Sequence, residues 1–193
     1  MDWITAFLLA YLLGSVPFGL LLTRLAGTED LRSIGSGNIG ATNVLRTGRK
    51  GLAAGTLLLD LVKGAAAVLL AHHFLPGTEG LAALAAVIGH CFPVWLKFRG
   101  GKGVATTAGV AFGLGWPIGL AYALVWIGML ALTRISSLSG ICAAVALPIA
   151  GYAMGRADLL PWLVAIAALV IVLHRANIAR LRNGTEPRVG KRG

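Results

Sequence analysis

Long apolar runs separated by short polar segments dominate this chain of 193 residues. A transmembrane helix needs about 20 predominantly apolar residues, and runs close to that length recur from one end of the sequence to the other. The pattern predicts an all-α, polytopic helical membrane protein with one domain, 1–193, and about seven transmembrane helices. The predicted spans are Trp3–Arg24, Leu52–Leu75, Leu81–Leu96, Val104–Gly115, Pro117–Thr133, Leu138–Met154 and Pro161–Leu173.

Helix-breaking residues interrupt this pattern at two places. Gly14, Ser15 and Pro17 lie within the first span and predict a kink there. Around Gly113–Pro117 two arrangements stay open: two spans joined by a hinge, or a first segment that is partly re-entrant. The composition agrees with a membrane protein, because 57% of the residues are hydrophobic and only 12% are charged, against ~25% in a soluble domain.

The positions of the positive charges predict the orientation in the membrane. If the spans alternate, all 17 Lys and Arg residues except Lys63 and Arg156, which is 17 minus 2 or 15, fall at one end. The positive-inside rule then places that end in the cytoplasm, with the N-terminus outside and the C-terminus cytoplasmic. No soluble basic domain remains to bind nucleic acid. We expect contact with membrane lipid and no obligate protein partner.

The most informative polar stretch is Gly35–Asn43, which reads GSGNIGATN and contains no charge. Glycines let successive backbone N–H groups turn toward one point and form a concavity that binds anions. Arg46 follows and adds positive charge. We interpret the stretch as a phosphate cradle, and the alternative is a glycine-rich turn between two helices. The residues expected to bind phosphate here are Gly35, Gly37, Asn38, Gly40, Thr42 and Asn43.

The same glycines also match a dinucleotide-binding pattern. Gly35, Gly37 and Gly40 spell G-x-G-x-x-G, and Asp60 lies about where such a fold places its ribose-binding acid. That interpretation requires a strand before the glycines and a βαβ unit around them. Long apolar runs precede the glycines and enclose Asp60 instead, so the pattern does not predict a dinucleotide site.

Several polar residues inside the apolar runs are interpreted as structural. Asp60 and Lys63 are three residues apart and therefore share one helix face, where an inward-facing ion pair is expected. His90, and likewise His72 and His73, are expected to be satisfied interior histidines. The two cysteines, Cys91 and Cys142, are isolated in apolar segments, which favours small apolar filler over a metal or disulfide site.

Two further polar segments join the first one at the predicted cytoplasmic end. Lys97–Gly103 reads KFRGGKG, and His174–Glu186 reads HRANIARLRNGTE with a spacing that favours a helix along the membrane interface. Attraction to anionic lipid headgroups explains basic loops, but it does not require Ser, Asn, Thr and Gly. The three segments supply many hydrogen-bond donors and few acceptors. Such a site binds phosphates and stabilises a departing phosphate, and we expect no metal and no cofactor.

These three segments, in this order between apolar spans, resemble the signature segments of the PlsY family of bacterial membrane acyltransferases. The resemblance implies transfer of a fatty acyl group from acyl phosphate to glycerol 3-phosphate, giving 1-acyl-glycerol 3-phosphate (lysophosphatidic acid) and phosphate at the cytoplasmic side of the bacterial inner membrane. It implies that the catalytic residues are Ser36, Arg46, Lys102, Ser139, His174 and Asn177. It also implies that Gly100, Gly101 and Gly103 lie against the acyl phosphate, and we expect Thr106 to bind substrate or phosphate as well.

The donor chemistry predicts direct transfer without an acyl-enzyme, because an acyl phosphate is already an activated mixed anhydride. The proton of the attacking hydroxyl can go to His174 or to the phosphate of glycerol 3-phosphate, and we favour the phosphate. Two alternatives are weaker. An anion or organophosphate transporter usually shows internal repeats and a site at the bilayer midplane. A metal-dependent phosphotransferase needs a cluster of aspartates, whereas the chain has seven acidic residues and none clustered at the site.

Overall fold

A computed structural model describes residues 1–190, and these residues form an all-helical bundle without a β-strand. The helical class predicted from the apolar pattern is confirmed. Four short 3₁₀ turns lie between the helices, at Leu31–Ser33, Leu45–Thr47, Val94–Leu96 and Ala157–Leu159. The α-helices in the described residues are α1 Asp2–Gly14, α2 Phe18–Leu25, α3 Ala41–Val44, α4 Lys50–Phe74, α5 Glu79–Cys91, α6 Val104–Leu114, α7 Trp116–Thr133, α8 Ser136–Ala153, α9 Leu160–Leu173 and α10 Arg175–Arg182.

Five helical stretches within residues 1–190 are long and apolar enough to cross a membrane: Asp2–Leu25, Lys50–Phe74, Glu79–Leu96, Trp116–Thr133 and Ser136–Ala153. A sixth is formed if Ala157–Leu173 and Arg175–Arg182, which are bent by 59°, count as one. The remaining predicted span corresponds to α6, whose eleven residues reach only about 16 Å of a hydrocarbon core of about 30 Å. The count of seven spans and their orientation therefore stay predictions.

The predicted breaks are confirmed at both places. Helix α1 ends at Gly14 and α2 begins at Phe18, so the first apolar run is interrupted where Pro17 prevents a continuous helix. The chain also reverses at Gly115, between α6 and α7. The hydroxyl of Tyr122 donates to the carbonyl oxygen of Val104 at 3.1 Å, so α7 runs back along α6 as a hinged pair.

The two ends of the bundle differ in chemistry. One end, which we call the far face, carries the stacked rings of Trp3 and Trp162, with centroids 6.3 Å apart. Arg156 near the same end donates to the carbonyl oxygen of Leu114 at 3.2 Å and so reaches the end of the short helix α6. The three glycine-rich or basic segments lie at the opposite end, which we call the motif face.

Small residues let the helices approach closely and thereby fix the position of α6. A Cβ atom at Gly64 of α4 would overlap the backbone of Thr106, and one at Gly109 of α6 would overlap the backbone of Leu61. The same arrangement holds between α1 and α5, where Gly14 lies against the backbone of Ala86. Close backbone contact through glycine is a common way of packing membrane helices. It places the first turn of α6 against α4 at the motif face.

Charged side chains inside the bundle are paired, as predicted for Asp60 and Lys63. The ammonium nitrogen of Lys63 lies 2.7 Å from Oδ1 of Asp60, and both side chains are buried. His90 is also buried, with Nδ1 at 3.0 Å from the same ammonium group. The interior interpretation of His90 is therefore confirmed, and its partners are the side chains of Lys63 and Asp60 rather than a backbone group.

The interior interpretation of His72 and His73 is wrong. Both residues are exposed at the last turn of α4. His72 points Nδ1 at the Glu79 carboxylate, 2.9 Å away, across the short turn between α4 and α5. The ring of His73 contacts the edge of Phe74. The apolar run continues past the buried part of α4, so hydropathy alone placed these residues too deep.

Candidate active site

A cavity of about 780 Å³ opens at the motif face and receives residues from all three polar segments. Lys50, Leu57 and Asp60 of α4 all line it, so it extends about 15 Å along that helix. Ten of the site residues expected from the sequence lie on its wall: Ser36, Asn38, Gly40, Thr42, Asn43, Arg46, Lys102, Gly103, His174 and Asn177. Six others do not line it: Gly35, Gly37, Gly100, Gly101, Thr106 and Ser139.

The first segment is folded around the side chain of Asn43, which is only 2% exposed. Its amide nitrogen lies 2.9 Å, 3.0 Å and 2.8 Å from the carbonyl oxygens of Leu31, Ile34 and Asn38. Its Oδ1 accepts from the backbone N–H of Ser36 at 3.2 Å. The two amide hydrogens are fully used, so Asn43 organises the loop and presents Ser36 to the cavity.

Arg46 is the cation of the first segment, and it lies against Gly35. Gly35 has a φ of +55°, and a Cβ atom there would overlap Nη1 of Arg46. Both conditions favour glycine. Within residues 1–190 no carboxylate lies within salt-bridge distance of Arg46, so its guanidinium can bind an anion in the cavity. Thr42 fixes the other side of the loop through a hydrogen bond of 3.0 Å with Ser136.

The second segment uses its glycines differently. The backbone N–H of Gly101 donates to the carbonyl oxygen of His90, and that of Gly100 to Cys91, both at 3.0 Å. A Cβ atom at Gly100 would overlap the carbonyl oxygen of His90, and one at Gly101 would overlap its Nε2. These two N–H groups are therefore not free to bind phosphate. The glycines allow the loop to lie directly on the end of α5.

The N-terminus of α6 offers the free backbone donors that these glycines lack. Gly103 precedes the helix with a φ of +84°, and no side chain caps its first turn. Gly103, Val104 and Ala105 all line the cavity. The first N–H groups of a helix have no intrahelical partner and, together with the helix dipole, favour an anion. We therefore assign the phosphate-facing backbone of the second segment to the first turn of α6.

Lys102 links the second segment to the C-terminal segment. Its ammonium group donates to Oδ1 of Asn177, whose amide donates to Oε1 of Glu186 at 2.6 Å. Glu186 also accepts from the hydroxyl of Ser137 at 2.6 Å and from Nε of Arg180 at 2.6 Å. The sequence interpretation did not assign Glu186 to the site. The signal was present, because Glu186 is the only acidic residue after Asp158.

The tail beyond α10 closes part of the cavity. Pro187, Arg188, Val189 and Gly190 line it together with Glu186. The backbone N–H of Val189 donates to the carbonyl oxygen of Arg134 at 2.7 Å and fixes the tail to the turn between α7 and α8. No motif indicated this contact, which depends on how α8 and the tail pack.

Burial and hydrogen bonding set the charge states in the site. Burial and the charge of Arg180 lower the pKa of Lys102, although Glu186 opposes this shift. Burial raises the pKa of Glu186, but hydrogen bonds from Ser137, Asn177 and Arg180 outweigh it and lower that pKa overall. The carboxylate therefore stays ionised at neutral pH.

His174 is neutral, and the position of its proton is defined. The residue is only 2% exposed, and burial lowers the pKa of its imidazole despite a hydrogen bond to Val170. Nδ1 lies 2.7 Å from the carbonyl oxygen of Val170. A carbonyl oxygen can only accept, so Nδ1 carries the proton and Nε2 is the free acceptor. Nε2 is next to Gly140 of α8.

Ser139 does not reach the cavity. It is completely buried, and its hydroxyl donates at 2.9 Å to the carbonyl oxygen of Ile135, which immediately precedes α8. Ser136 and Ser137 line the cavity instead. The three serines are close in sequence, and the rotation of α8 decides which of them face the site. Thr106 is also fully buried, behind the first turn of α6.

Comparison with known proteins matches the whole chain to one family. Residues 4–184 match the family model described as glycerol-3-phosphate acyltransferase. The curated glycerol-3-phosphate acyltransferase of Erythrobacter litoralis is 63% identical over 192 residues, covering 100% of this chain and 98% of the relative. That of Novosphingobium aromaticivorans is 65% identical over 182 residues, covering 94% and 92%.

The fold has a close match among solved structures. The crystal structure of PlsY (YgiH), an integral membrane glycerol 3-phosphate acyltransferase, in its glycerol 3-phosphate form superposes with a TM-score of 0.93 at 38% identity and covers 98% of this chain and 96% of PlsY. The lysophosphatidic acid form gives a TM-score of 0.91 at 36% identity, with the same coverage. The predicted membrane class is confirmed by this match. The chain belongs to the glycerol-3-phosphate acyltransferase family of integral-membrane enzymes.

Proposed function

We propose that this enzyme transfers a fatty acyl group from an acyl phosphate to the 1-hydroxyl of glycerol 3-phosphate, giving 1-acyl-glycerol 3-phosphate and inorganic phosphate. This is the first acylation of phospholipid biosynthesis, and we place it at the cytoplasmic face of the bacterial inner membrane. The observation that carries the proposal is one cavity whose wall combines cationic side chains, a free helix N-terminus and a neutral histidine.

The charges of the cavity fit two phosphorylated substrates. Among residues 1–190, its wall carries five Lys or Arg side chains, and its two carboxylates are both engaged with protein partners. Asp60 pairs with Lys63 at 2.7 Å, and Glu186 accepts three hydrogen bonds. Each charged hydrogen bond to a phosphate contributes about 1.5–3 kcal/mol. The five cations are Arg46, Lys50, Lys102, Arg180 and Arg188.

The cavity also has an apolar wall for the acyl chain. Leu57 of α4, Val104 of α6 and Trp126 of α7 line it, and Leu57 is 43% exposed on the surface of the bundle. A volume of about 780 Å³ lies within the usual range of ligand sites, roughly 300–1,000 Å³. The headgroups fill the polar part, and the chain extends past the apolar wall into lipid.

We propose direct transfer between the two substrates. The oxygen of the glycerol 1-hydroxyl forms a bond to the acyl carbonyl carbon, and the bond between that carbon and the phosphate oxygen breaks, so phosphate leaves with the electron pair. Arg46, Lys102 and the first turn of α6 are positioned to stabilise the charge on the departing phosphate. No protein nucleophile, metal ion or cofactor is required, because the donor is already activated.

The hydroxyl proton passes to the phosphate of glycerol 3-phosphate, and His174 holds the substrate. Nε2 of His174 has no proton and can accept a hydrogen bond from the neighbouring 2-hydroxyl. The 1-hydroxyl is then left to transfer its proton to the phosphate of glycerol 3-phosphate, which Asn177 helps to hold. 1,3-Propanediol phosphate, which lacks the 2-hydroxyl, tests this role. It should be a poorer acceptor for the wild-type enzyme, and His174→Ala should reduce its turnover little further. Equal large losses for both acceptors would instead make His174 the base.

The decisive experiment uses the purified chain in detergent, without a partner protein or cofactor. Phosphate release and lysophosphatidic acid formation are measured with acyl phosphate and glycerol 3-phosphate. Acyl-CoA and acyl carrier protein thioesters serve as control donors and should give no product. Product from a thioester but not from acyl phosphate would contradict the proposed donor. Trapping an acylated protein after acid quench would contradict direct transfer, and loss of activity in excess chelator would contradict the metal-free reaction.

A further inference from the structure

A buried network lies directly behind the loop that carries Lys102. The ammonium nitrogen of Lys63 is 2.7 Å from Oδ1 of Asp60, 3.0 Å from Nδ1 of His90 and 2.8 Å from the carbonyl oxygen of Val16. The ammonium group therefore has one ion-pair partner, Asp60, and two hydrogen-bond partners, His90 and Val16. Asp60, Lys63 and His90 are each at most 4% exposed.

The network joins three parts of the bundle at one point. Asp60 and Lys63 belong to α4, His90 to the last turn of α5, and Val16 to the break between α1 and α2. Charged side chains within a membrane bundle are costly unless fully paired, and they mark functional positions by default. The network faces the site, because Asp60 and His90 both line the cavity.

The network touches the site through His90. The ring of His90 lies against Gly101, where a Cβ atom would overlap Nε2. The carbonyl oxygen of the same residue accepts the N–H of Gly101 at 3.0 Å. The next residue is Lys102. Lys63 holds the imidazole through Nδ1, and the imidazole contacts Gly101. The position of the imidazole therefore determines the backbone position from which the Lys102 side chain extends.

The loop needs such support because part of its backbone is strained. Lys97 and Phe98 both adopt left-handed conformations, with φ of 52° and 59°. Consecutive residues other than glycine rarely do so, and such conformations persist only where surrounding contacts impose them. The N–H groups of Lys97 and Phe98 donate to the turn before them, and the two hydrogen bonds from Gly100 and Gly101 fix the loop to the end of α5.

We propose that the Asp60–Lys63–His90 network is a positioning device, which fixes Gly101 and thereby sets the place of Lys102 in the phosphate site. None of the three side chains is assigned to touch substrate. The inference rests on the proposed role of Lys102 as a phosphate ligand. A displacement of about 1 Å in such a ligand lowers turnover by about 100-fold, so the network should act strongly on catalysis while leaving the chemistry to other residues.

A double-mutant cycle with Lys102 tests the proposal. His90→Gln and the charge-free pair Asp60→Asn/Lys63→Met are each measured in the wild-type and Lys102→Arg backgrounds. In the wild-type background we expect kcat/KM for glycerol 3-phosphate to fall about 10- to 100-fold, with kcat carrying most of the loss. In the Lys102→Arg background the same changes should lower it by less than about threefold, because their target is already altered.

Controls separate positioning from general damage. Thr56→Val changes another buried residue of α4, whose hydroxyl donates only to the carbonyl oxygen of Leu52 at 2.8 Å, and it should leave kcat/KM unchanged. The rise in melting temperature on adding glycerol 3-phosphate reports binding separately from turnover. If His90→Gln does not accumulate, the Asp60→Asn/Lys63→Met pair completes the cycle alone.

Equal fold losses in both Lys102 backgrounds would overturn the positioning role and leave the network purely structural. If Lys102→Arg and Lys102→Ala both keep full activity, Lys102 does not bind phosphate. The proposed function of Lys102 would then be contradicted, rather than the positioning role of the network. The two failures are therefore distinguishable from one set of variants.

Discussion

In the first glycine-rich segment Gly35 and Gly37 turn the backbone, whereas in the second Gly100 and Gly101 let the backbone lie against another helix. Gly35 and Gly37 have φ of +55° and +65° and wrap the chain around the amide of Asn43. Gly100 and Gly101 donate their N–H groups to the end of α5. A glycine-rich sequence therefore indicates tight backbone geometry, and only the free N–H groups indicate where an anion can bind.

Each of the two segments contributes one cation to the cavity, Arg46 or Lys102. Removing either cation should have the largest effect on activity. Arg46→Ala and Lys102→Ala should each lower kcat by about 100- to 1,000-fold, because each removes a donor to the departing phosphate. Phosphate release by purified protein measures the loss. Arg49→Ala is the matched control, since that exposed arginine does not line the cavity. A fall in folded protein that matches the fall in activity would show that the lost cation is structural.

The glycines should respond differently to the same added methyl group. Gly101→Ala would drive Cβ into the imidazole of His90, inside the packed bundle, and overpacking of this kind costs about 1–3 kcal/mol. Gly35→Ala meets first the guanidinium of Arg46, the end of a flexible side chain, and next Oδ1 of Asn43. We expect Gly101→Ala to lower the melting temperature in detergent and the yield of folded protein.

Gly35→Ala, by contrast, should retain most of the folded protein and should mainly raise KM for the phosphorylated substrates, because Arg46 is displaced. The left-handed φ of Gly35 adds about 1–2 kcal/mol of strain. Identical losses of folded protein for Gly35→Ala and Gly101→Ala would break the distinction between the two segments.

The helical framework could be predicted from sequence because it depends on local properties. The apolar runs, the break at Pro17 and the reversal at Gly115 correspond to residues that end helices wherever they occur. The pairing of Asp60 with Lys63 also follows from a spacing of three residues on one helix. These predictions do not require knowledge of which helices are neighbours.

The site depended on long-range packing and was predicted less completely. The contact of His90 with Gly101 and the hydrogen bond from Ser137 to Glu186 join residues from separate helices and loops. No spacing rule connects them. Ser139 illustrates the same limit, because the rotation of α8 turns its hydroxyl to the helix backbone while a neighbouring serine faces the cavity.

A smaller effect should follow from changing the amide that organises the first segment. Asn43→Ala removes the donor shared by three loop carbonyls, and unpaired buried groups cost about 1–3 kcal/mol. Asn38→Ala is the control, because Asn38 contributes only one side-chain acceptor, to the N–H of Gly40 at 2.9 Å. Melting temperatures in detergent should therefore fall more for Asn43→Ala than for Asn38→Ala. The reverse order would show that the loop is not built around Asn43.

The smallest predicted effect is a dependence of folding stability on pH. It arises from His174, in the part of the site that the second and third segments form. The polar side chains of Gly35–Asn43 do not titrate near neutral pH. The imidazole of His174, on the other side of the site, does titrate in that range. Its pKa is lowered in the folded protein, chiefly because the residue is buried. The folded state therefore binds fewer protons than the unfolded state as the pH falls through the unfolded pKa of about 6.5. Above that pH both states hold a neutral imidazole, and His174 adds no pH dependence to stability. Below it, stability declines with falling pH.

The measurement is the melting temperature in detergent between about pH 7.5 and pH 5.5, a range that brackets the unfolded histidine pKa of about 6.5. His174→Gln should flatten the decline, since the amide does not titrate and retains a polar group near Gly140. Asn43→Ala should lower the melting temperature at every pH by a similar amount and leave the slope unchanged. If the slope persists in His174→Gln, another group causes the acid sensitivity. If Asn43→Ala removes the slope, the titrating group is coupled to the first segment, and the two sides of the site are less independent than the hydrogen bonds indicate.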